Sequence, residues 1–252
     1  MTEPIESGRP GAEPAPAYEF LDVLGRGGMG VVHKAFEPEL NRFVAVKVLH
    51  YDSPEQVERL LREARSQARL THDNICRVYK VDRIEGRPCI VMQYIDGRPL
   101  PEVMGELSLE QKARIMAKVA DAMHEAHREG LIHRDLKPGN IMMERDPDGD
   151  WKPYVLDFGL VQEVGKASLT RTGEVMGTPR YMAPEQAIGN IHALDRRTDV
   201  YALGAILYEL FSGKYAHEGE TAVEILLGAL HSEPRPCAAW RRAFPPISRP
   251  SP

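Results

Sequence analysis

The stretch LIHRDLKPGN, residues 131–140, decides how this 252-residue chain is interpreted. Within eight positions it places an imidazole, a guanidinium, a carboxylate, an ammonium and a side-chain amide, at His133, Arg134, Asp135, Lys137 and Asn140. An ordinary loop has no structural need for that density of polar groups. His133 beside Asp135 is weak evidence alone, because most such pairs are hydrogen-bonded neighbours rather than acid–base machinery. The residues outside the stretch must therefore decide its chemistry.

The composition is that of an ordinary globular protein, with 42% apolar and 27% charged residues. A net charge of −5 and a pI near 6.0 give no bulk attraction to nucleic acid or to an anionic membrane. The three cysteines show no CxxC spacing, which argues against a disulfide framework or a zinc site. The longest apolar run, residues 200–211, is too short to span a bilayer. We expect a soluble, cytoplasmic protein without a nucleic-acid partner or a membrane span.

Upstream of the opening stretch, the sequence predicts a small sheet with one helix. Residues 1–17 hold four prolines and almost no bulky apolar side chains, so we expect a disordered lead. From residue 18, β-branched runs separated by polar residues and glycines predict antiparallel strands. Residues 53–70 carry an N-terminal cap signal and apolar residues at helical spacing. Beyond residue 101 the chain becomes mainly helical, with a capping-box signature that begins at Ser108.

The segment GRGGMGVV, residues 25–32, has glycines in the G-x-G-x-x-G spacing, which lets backbone amides approach phosphate oxygens. This signal is weak alone. The dinucleotide-binding version should open a helix, whereas the residues that follow here continue as a strand, so the glycines lie at the tip of a hairpin. A phosphate loop of the G-x-x-x-x-G-K type also fails, because Val31 and Val32 follow Gly30. These observations exclude an NAD-dependent oxidoreductase.

Lys47 ends the apolar segment VAVK, in which Val46 and Val48 should point to the opposite face of the strand. An ammonium group in that setting needs an anion. A phosphate or a carboxylate would serve, and Glu63 on the following helix is a candidate carboxylate. For each residue taken alone, a solvated surface side chain remains the alternative.

At this point the sequence resembles the bacterial branch of the eukaryotic-like protein serine/threonine kinases, from about Tyr18 to about Glu233. The glycine segment, VAVK, HRDLKPGN, DFG and APEQ each occur once and in the family's order. The resemblance implies an α+β, bilobal protein kinase-like fold with a small antiparallel-sheet N-lobe and a mainly helical C-lobe. We expect the lead at residues 1–17, the N-lobe at 18–95, a partial C-lobe at 96–235 and a proline-rich irregular tail at 236–252.

The same resemblance answers what reaction would use the opening stretch. Phosphoryl transfer needs metal and phosphate positioning plus an acceptor for one hydroxyl proton. Asp135 would accept or orient that hydroxyl, and Lys137 would offset the charge of the transferring group. Asn140 and Asp157 would hold Mg²⁺, with Mn²⁺ as a possible substitute. Lys47, held by Glu63, would bind the α- and β-phosphates. His133 is implied to be structural and to pack near Phe158, and Asp199 is implied to hold the catalytic loop in place.

For the nucleotide, the resemblance implies an ATP pocket made of three groups of residues. The glycine segment would cover the phosphates, the hinge would bond the adenine edge through the Gln93 carbonyl and the Ile95 amide, and apolar side chains would sandwich the ring. Met92 would guard the pocket. The ATP-binding residues implied are Gly25, Arg26, Gly27, Gly28, Gly30, Val32, Ala45, Lys47, Met92, Gln93, Ile95 and Met142.

The polar, glycine-containing segment between DFG and APE would be the activation segment. Thr170 and Thr172 are the candidate phosphorylation sites, with Ser168 as a competing acceptor. Arg134 would gather the phosphate that they carry. A solvated loop is the alternative for these hydroxyls.

The sequence departs from the family pattern at its C-terminal end. The large lobe normally continues with further helices, whereas residues 236–252 contain five prolines, which forbid a long helix. Three alternatives stay open: an irregular tail covers the exposed face, a partner or second copy of the chain covers it, or the chain is a C-terminally truncated product with poor stability. The leading hypothesis is an ATP-dependent protein serine/threonine kinase with protein substrates. The alternative is a catalytically weak or inactive nucleotide-binding scaffold, and a small-molecule kinase is a third, less favoured hypothesis.

Overall fold

The computed structural model describes residues 17–27, 30–50, 54–158, 179–190, 194–234 and 236. Residues 1–16 of the predicted lead, Gly28, the candidate phosphorylation sites Thr170 and Thr172, and nearly all of the predicted tail lie outside these residues.

The small lobe is built on a five-stranded antiparallel sheet with the order β1-β2-β3-β5-β4. Its strands are β1 (Glu19–Gly27), β2 (Gly30–Glu37), β3 (Arg42–Leu49), β4 (Val78–Ile84) and β5 (Arg87–Gln93). In the β1–β2 hairpin, Gly27 lies opposite Gly30, so the glycine segment forms the tip, as predicted. Gly30 has a φ of 147°, and a Cβ there would run into the carbonyl oxygen of Val48. Only glycine fits this close approach.

The period-2 pattern of β3 gives the sheet two buried faces. Val44 and Val46 pack with Tyr18 and Val91 on one face. Ala45 and Leu49 pack on the other face, against helix α1 (Pro54–Gln67). Lys47 shares the second face, as the alternation predicted, and is buried. The helix therefore covers the side of the sheet on which the ammonium lies.

The large lobe is mainly helical. It contains α2 (Leu100–Val103), α3 (Leu109–Arg128), α4 (Pro184–Ala187), α5 (Arg196–Ser212) and α6 (Ala222–His231). Helix α3 begins with the predicted capping box: Gln111 N donates to Ser108 Oγ at 3.1 Å, and Ser108 N donates to Gln111 Oε1 at 2.9 Å. Helices α3 and α5 pack around one apolar core, with Val119, Met123 and Ile206 at its centre.

A second, three-stranded sheet supports residues 131–140, which we call the catalytic stretch after the role that the resemblance implies. Its order is β6-β7-β8, from β6 (Gly97–Pro99), β7 (Ile141–Arg145) and β8 (Trp151–Val155). Residues 97–99 form β6, and residues 100–101 begin α2. Gly97 allows this pairing, because a Cβ there would collide with the carbonyl oxygen of Met143. The opening stretch ends in a 3₁₀ turn, Pro138–Asn140, which leads directly into β7.

Helix α5 is apolar nearly all round, a pattern typical of a helix buried in the middle of a lobe. Its inner face is buried, but Val200 is 57% exposed, and Val223 and Leu227 of α6 are also exposed. No part of the chain that is described covers these side chains. The predicted α+β, bilobal architecture is otherwise confirmed, and no helix among the described residues is long and apolar enough to cross a bilayer.

Candidate active site

The two lobes enclose a cleft of about 840 Å³ that both sheets line. Its roof comes from the β1–β2 hairpin and β3, its back from the segment after β5, and its floor from the catalytic stretch, β7 and the residues after β8. The structure brings to this cleft Gly25, Arg26, Gly27, Gly30, Val32, Ala45, Lys47, Met92, Gln93, Ile95, Asp135, Lys137, Asn140, Met142 and Asp157.

The floor carries two short ion pairs. Lys47 Nζ donates to Asp157 Oδ1 at 2.8 Å, and Lys137 Nζ donates to Asp135 Oδ2 at 2.8 Å. The first pair joins the small lobe to the large lobe, and its ammonium is far more buried than its carboxylate, at 8% against 33% side-chain exposure. The two carboxylates remain partly exposed, Asp157 at 33% and Asp135 at 36% of the side chain.

Asn140 connects the two halves of the catalytic stretch. Its Nδ2 donates to the backbone oxygen of Asp135 at 2.7 Å and lies 3.3 Å from Asp135 Oδ2. Because the nitrogen faces these acceptors, the hydrogen-bond network assigns the opposite atom as the amide oxygen Oδ1, which has no hydrogen-bond partner among the described residues. That atom is available to a ligand.

The backbone of the catalytic stretch is held by a buried carboxylate on α5. Asp199 is 1% exposed and accepts hydrogen bonds from three groups: His127 Nε2 at 2.7 Å, His133 N at 2.8 Å and Arg134 N at 2.8 Å. The expectation that Asp199 holds this stretch in place therefore matches the geometry. The backbone amides of the adjacent residues His133 and Arg134 are thus both held by the Asp199 side chain.

His133 lies in the core beneath the cleft. Its ring is fully buried, with its centroid 4.9 Å from that of Phe158, and Nε2 lies 2.8 Å from the Leu156 carbonyl oxygen. Both ring nitrogens have partners, because Asp135 N donates to Nδ1 at 3.3 Å. His133 thus supports the backbone of the floor, and its position agrees with the structural role implied by the resemblance.

Two residues of the floor have an unusual backbone conformation. Arg134 has a φ of 65° and Asp157 a φ of 55°, which place both in the left-handed region that residues with a Cβ seldom occupy. Such conformations persist where surrounding contacts enforce them, and they cluster at functional sites. Arg134 directly precedes Asp135 in the sequence, and Asp157 is itself one of the two carboxylates of the floor.

Glu63 lies half-buried on α1, behind β3. The contact described for Lys47 is with Asp157 rather than with Glu63, so the predicted Lys47–Glu63 pair stays a prediction.

Several residues that line the cleft were missed by sequence reasoning. They are Leu24, Cys76, Tyr94, Gly97, Arg98, Pro99, Glu102, Gly139 and Leu156. Leu156 had a usable signal, because it directly precedes the DFG motif. Cys76 had none: it reaches the cleft because Ile75 forms a parallel bridge with Val155 of β8. Burial, together with the nearby Asp157 carboxylate, raises the pKa of the Cys76 thiol to about 12.

Comparison with known proteins agrees with this geometry. The protein kinase domain family model matches residues 18–239. The serine/threonine-protein kinase PksC of Streptomyces coelicolor is 39% identical over 243 residues, which cover 91% of this chain and 43% of that protein. The serine/threonine-protein kinase PrkC of Bacillus subtilis is 36% identical over 234 residues, which cover 90% of this chain and 35% of that protein.

Solved kinase structures share the fold. The PknI kinase domain of Mycobacterium tuberculosis, crystallised as a double mutant, superposes with a TM-score of 0.63 at 28% identity, covering 79% of this chain and 77% of that one. Rad53 in complex with AMP-PNP gives a TM-score of 0.67 at 25% identity over 84% of this chain and 52% of that one. The chain spans 43% and 35% of the length of the two curated relatives. It belongs to the protein kinase family.

Proposed function

We propose that this chain is a protein serine/threonine kinase that transfers the γ-phosphate of ATP to serine or threonine hydroxyls of protein substrates. One observation carries the proposal: two lysines, two carboxylates and one amide converge on the floor of a single cleft between the lobes. Phosphoryl transfer needs little more from a protein than positioning and charge stabilisation, and these are the groups that supply them.

The upper part of the cleft suits a nucleotide. Val32, Ala45 and Met142 lie on β2, β3 and β7, so apolar side chains from both lobes line the cleft and would sandwich a planar base. Backbone groups of residues 93–95 line the rear of the cleft and are proposed to bond the adenine edge. The β1–β2 hairpin, with Gly25, Arg26, Gly27 and Gly30, is proposed to cover the phosphates, with Gly28 outside the described residues.

The residues present also fit a divalent cation. Asp157 offers carboxylate oxygens and Asn140 offers the amide oxygen that its own hydrogen bonds leave free. Oxygen donors suit Mg²⁺, which is commonly held by one or two protein ligands together with substrate phosphates, and Mn²⁺ accepts the same ligands. The bound cation would neutralise charge on the β- and γ-phosphates.

Asp135 is the residue proposed to bind the reacting hydroxyl of the substrate. Its carboxylate is partly exposed and faces the cleft, where it would orient the substrate hydroxyl and take up its proton. Lys137 is held 2.8 Å from that carboxylate and would offset the charge of the transferring phosphoryl group. Lys47 would move from Asp157 to the phosphates, with Glu63 as its proposed second anchor.

Regulation by phosphorylation is proposed through Arg134. Its Nε is buried and has no hydrogen-bond partner among the residues described. A buried donor without a partner costs roughly 1–3 kcal/mol. An anion that binds Arg134 would remove this cost, because it would accept the hydrogen bond that Nε does not make. Thr170 and Thr172 are the proposed carriers of that phosphate.

The test is autophosphorylation by the purified chain with Mg²⁺ and ATP, followed by mass spectrometry. Asp135→Asn is expected to lower the rate by roughly 10²–10⁴-fold, the usual contribution of a positioned acid or base. ATP binding, measured by calorimetry, should survive, because Asp135 contacts the acceptor rather than the base. The matched control is Asp148→Asn, because Asp148 is an exposed carboxylate in the turn between β7 and β8. Wild-type protein that binds ATP but transfers no phosphate would instead support the scaffold alternative.

The remaining expectations stay proposals. They include the lobe bounds at 18–95 and 96–235 and, because ATP is the proposed donor, a cytoplasmic setting. A partner or second copy over the exposed faces of α5 and α6 is also untested. Light scattering on the wild type and on Leu227→Asp tests the second copy: a dimer that the variant converts to a monomer supports it, and a wild-type monomer rejects it.

A further inference from the structure

The side chain of Gln186, on α4, connects two segments that are far apart in sequence. Its Nε2 donates to the backbone oxygen of Arg134 at 2.7 Å, and its Oε1 accepts from Ala183 N at 3.1 Å. Both ends of the amide therefore have partners, and the two contacts together determine which atom is the nitrogen. One end caps α4, and the other reaches the catalytic stretch.

The carbonyl that Gln186 holds belongs to the peptide bond between Arg134 and Asp135. The N–H of the same peptide bond is directed at His133 Nδ1, 3.3 Å away. A peptide unit is planar, so holding its oxygen and its N–H on opposite sides fixes the orientation of the whole plane. That plane sets the direction in which the Asp135 side chain leaves the backbone.

This support is needed because the neighbouring backbone is strained. Arg134 has a φ of 65°, and its own N–H is held by Asp199 Oδ1 at 2.8 Å. Residues with a Cβ adopt this region only when contacts on several sides enforce it. Asp199 supplies the contact before the strained residue, and Gln186 supplies the contact after it.

We propose that Gln186 is a positioning residue for the Asp135 carboxylate. It acts by fixing the peptide bond that precedes Asp135, and it ties the placement of α4 to the geometry of the floor. The inference rests on the proposed function for its kinetic consequence, but the structural coupling stands on the hydrogen bonds alone. Gln186 does not touch substrate in this scheme.

The test uses Gln186→Glu, which keeps the capping acceptor but replaces the Nε2 donor with an oxygen that faces a carbonyl. Gln111→Glu is the matched control, because Gln111 also caps a helix through Oε1, accepting from Ser108 N at 2.9 Å, on an exposed surface. We expect kcat to fall by roughly 10- to 100-fold in Gln186→Glu, as for other small displacements of a reacting group. The KM for ATP should stay within about twofold of the wild type, since the nucleotide pocket is untouched. Gln111→Glu should behave as the wild type.

Hydrogen exchange separates this inference from the proposed function. The amides of Arg134 and Asp135 should exchange faster in Gln186→Glu than in the wild type or Gln111→Glu, while those of α3 remain unchanged. That readout applies even if the wild type transfers no phosphate, a result that would count against the kinase activity only. Unchanged kcat and unchanged exchange would overturn the positioning role. Faster exchange throughout the chain, with activity lost in proportion to the folded fraction, would overturn it as well.

Discussion

Replacing Asp199 with asparagine tests how the catalytic stretch is held. In the wild type, Oδ1 accepts from Arg134 N, while Oδ2 accepts from both His133 N and His127 Nε2, all at 2.7–2.8 Å. Asparagine has one acceptor oxygen and one NH₂ group. Whichever way the amide turns, its nitrogen must face at least one backbone N–H, so one buried donor loses its partner.

The cost follows from these contacts. Leaving one buried backbone donor unsatisfied costs roughly 1–3 kcal/mol, and the remaining hydrogen bonds lose the strength that the ionised carboxylate gave them. Removing one partner from a buried charged network typically costs about 3–5 kcal/mol. We expect Asp199→Asn to lower the free energy of unfolding by about 2–4 kcal/mol, a large part of a typical domain stability of ~5–15 kcal/mol.

Urea unfolding followed by circular dichroism measures the change, and Asp195→Asn is the control. Asp195 caps the same helix through a hydrogen bond from Arg197 N at 2.7 Å, but its side chain is 45% exposed. Asparagine caps helices about as well as aspartate, so the control should lose only a few tenths of a kcal/mol. If the two variants unfold at the same urea concentration, Asp199 does not contribute the stability assigned to it, and the reasoning is refuted.

Three further predictions address other parts of the molecule. Gly30→Ala should destabilise the small lobe by about 1–3 kcal/mol in thermal melts, since its Cβ meets the Val48 carbonyl, whereas Gly25→Ala, with nothing within 4 Å, should be nearly neutral. Burial lowers the pKa of His217 below its ordinary 6.5, so the unfolded chain binds more protons in mildly acidic solution. The contribution of His217 to stability is complete above pH 6.5 and is lost as pH falls through the folded-state pKa. The urea concentration at the unfolding midpoint should therefore fall with pH over this range. His217→Gln should remove that part of the pH dependence. Cys76, with a pKa of about 12 against an ordinary 9.0, should react with iodoacetamide on the order of a thousandfold more slowly in the folded chain than in urea.

The sequence was sufficient for the architecture because the informative signals were local and repeated. The alternation around Lys47, the capping box at Ser108 and the glycine spacing at residues 25–30 each constrain a single turn or strand, and the motif order links them into one fold. The floor of the cleft was predictable for the same reason, since Asp135, Lys137 and Asn140 lie within one short stretch.

What could not be predicted depends on contacts between distant segments. Cys76 enters the cleft only because a loop pairs with β8, and no local pattern encodes that pairing. Gln186 reads as an ordinary capping residue until the chain brings α4 against the catalytic stretch. The exposure of Val200 escaped prediction because apolar content reports what a helix could bury, whereas burial also requires a neighbour that covers it.

The site combines a fixed backbone with side chains that can change partners. Asp199, His133 and Gln186 hold successive peptide groups of the catalytic stretch with buried or half-buried contacts. The functional side chains differ, because Lys47 and Lys137 are each paired with a carboxylate that remains partly exposed. In the proposed function, an incoming phosphate group and cation would offer these lysines and carboxylates new partners, so the pairs would exchange while the backbone of residues 131–140 stays in place. Charge stabilisation is most effective when the surrounding dipoles need no reorganisation, and a fixed backbone beneath exchangeable ion pairs meets that requirement.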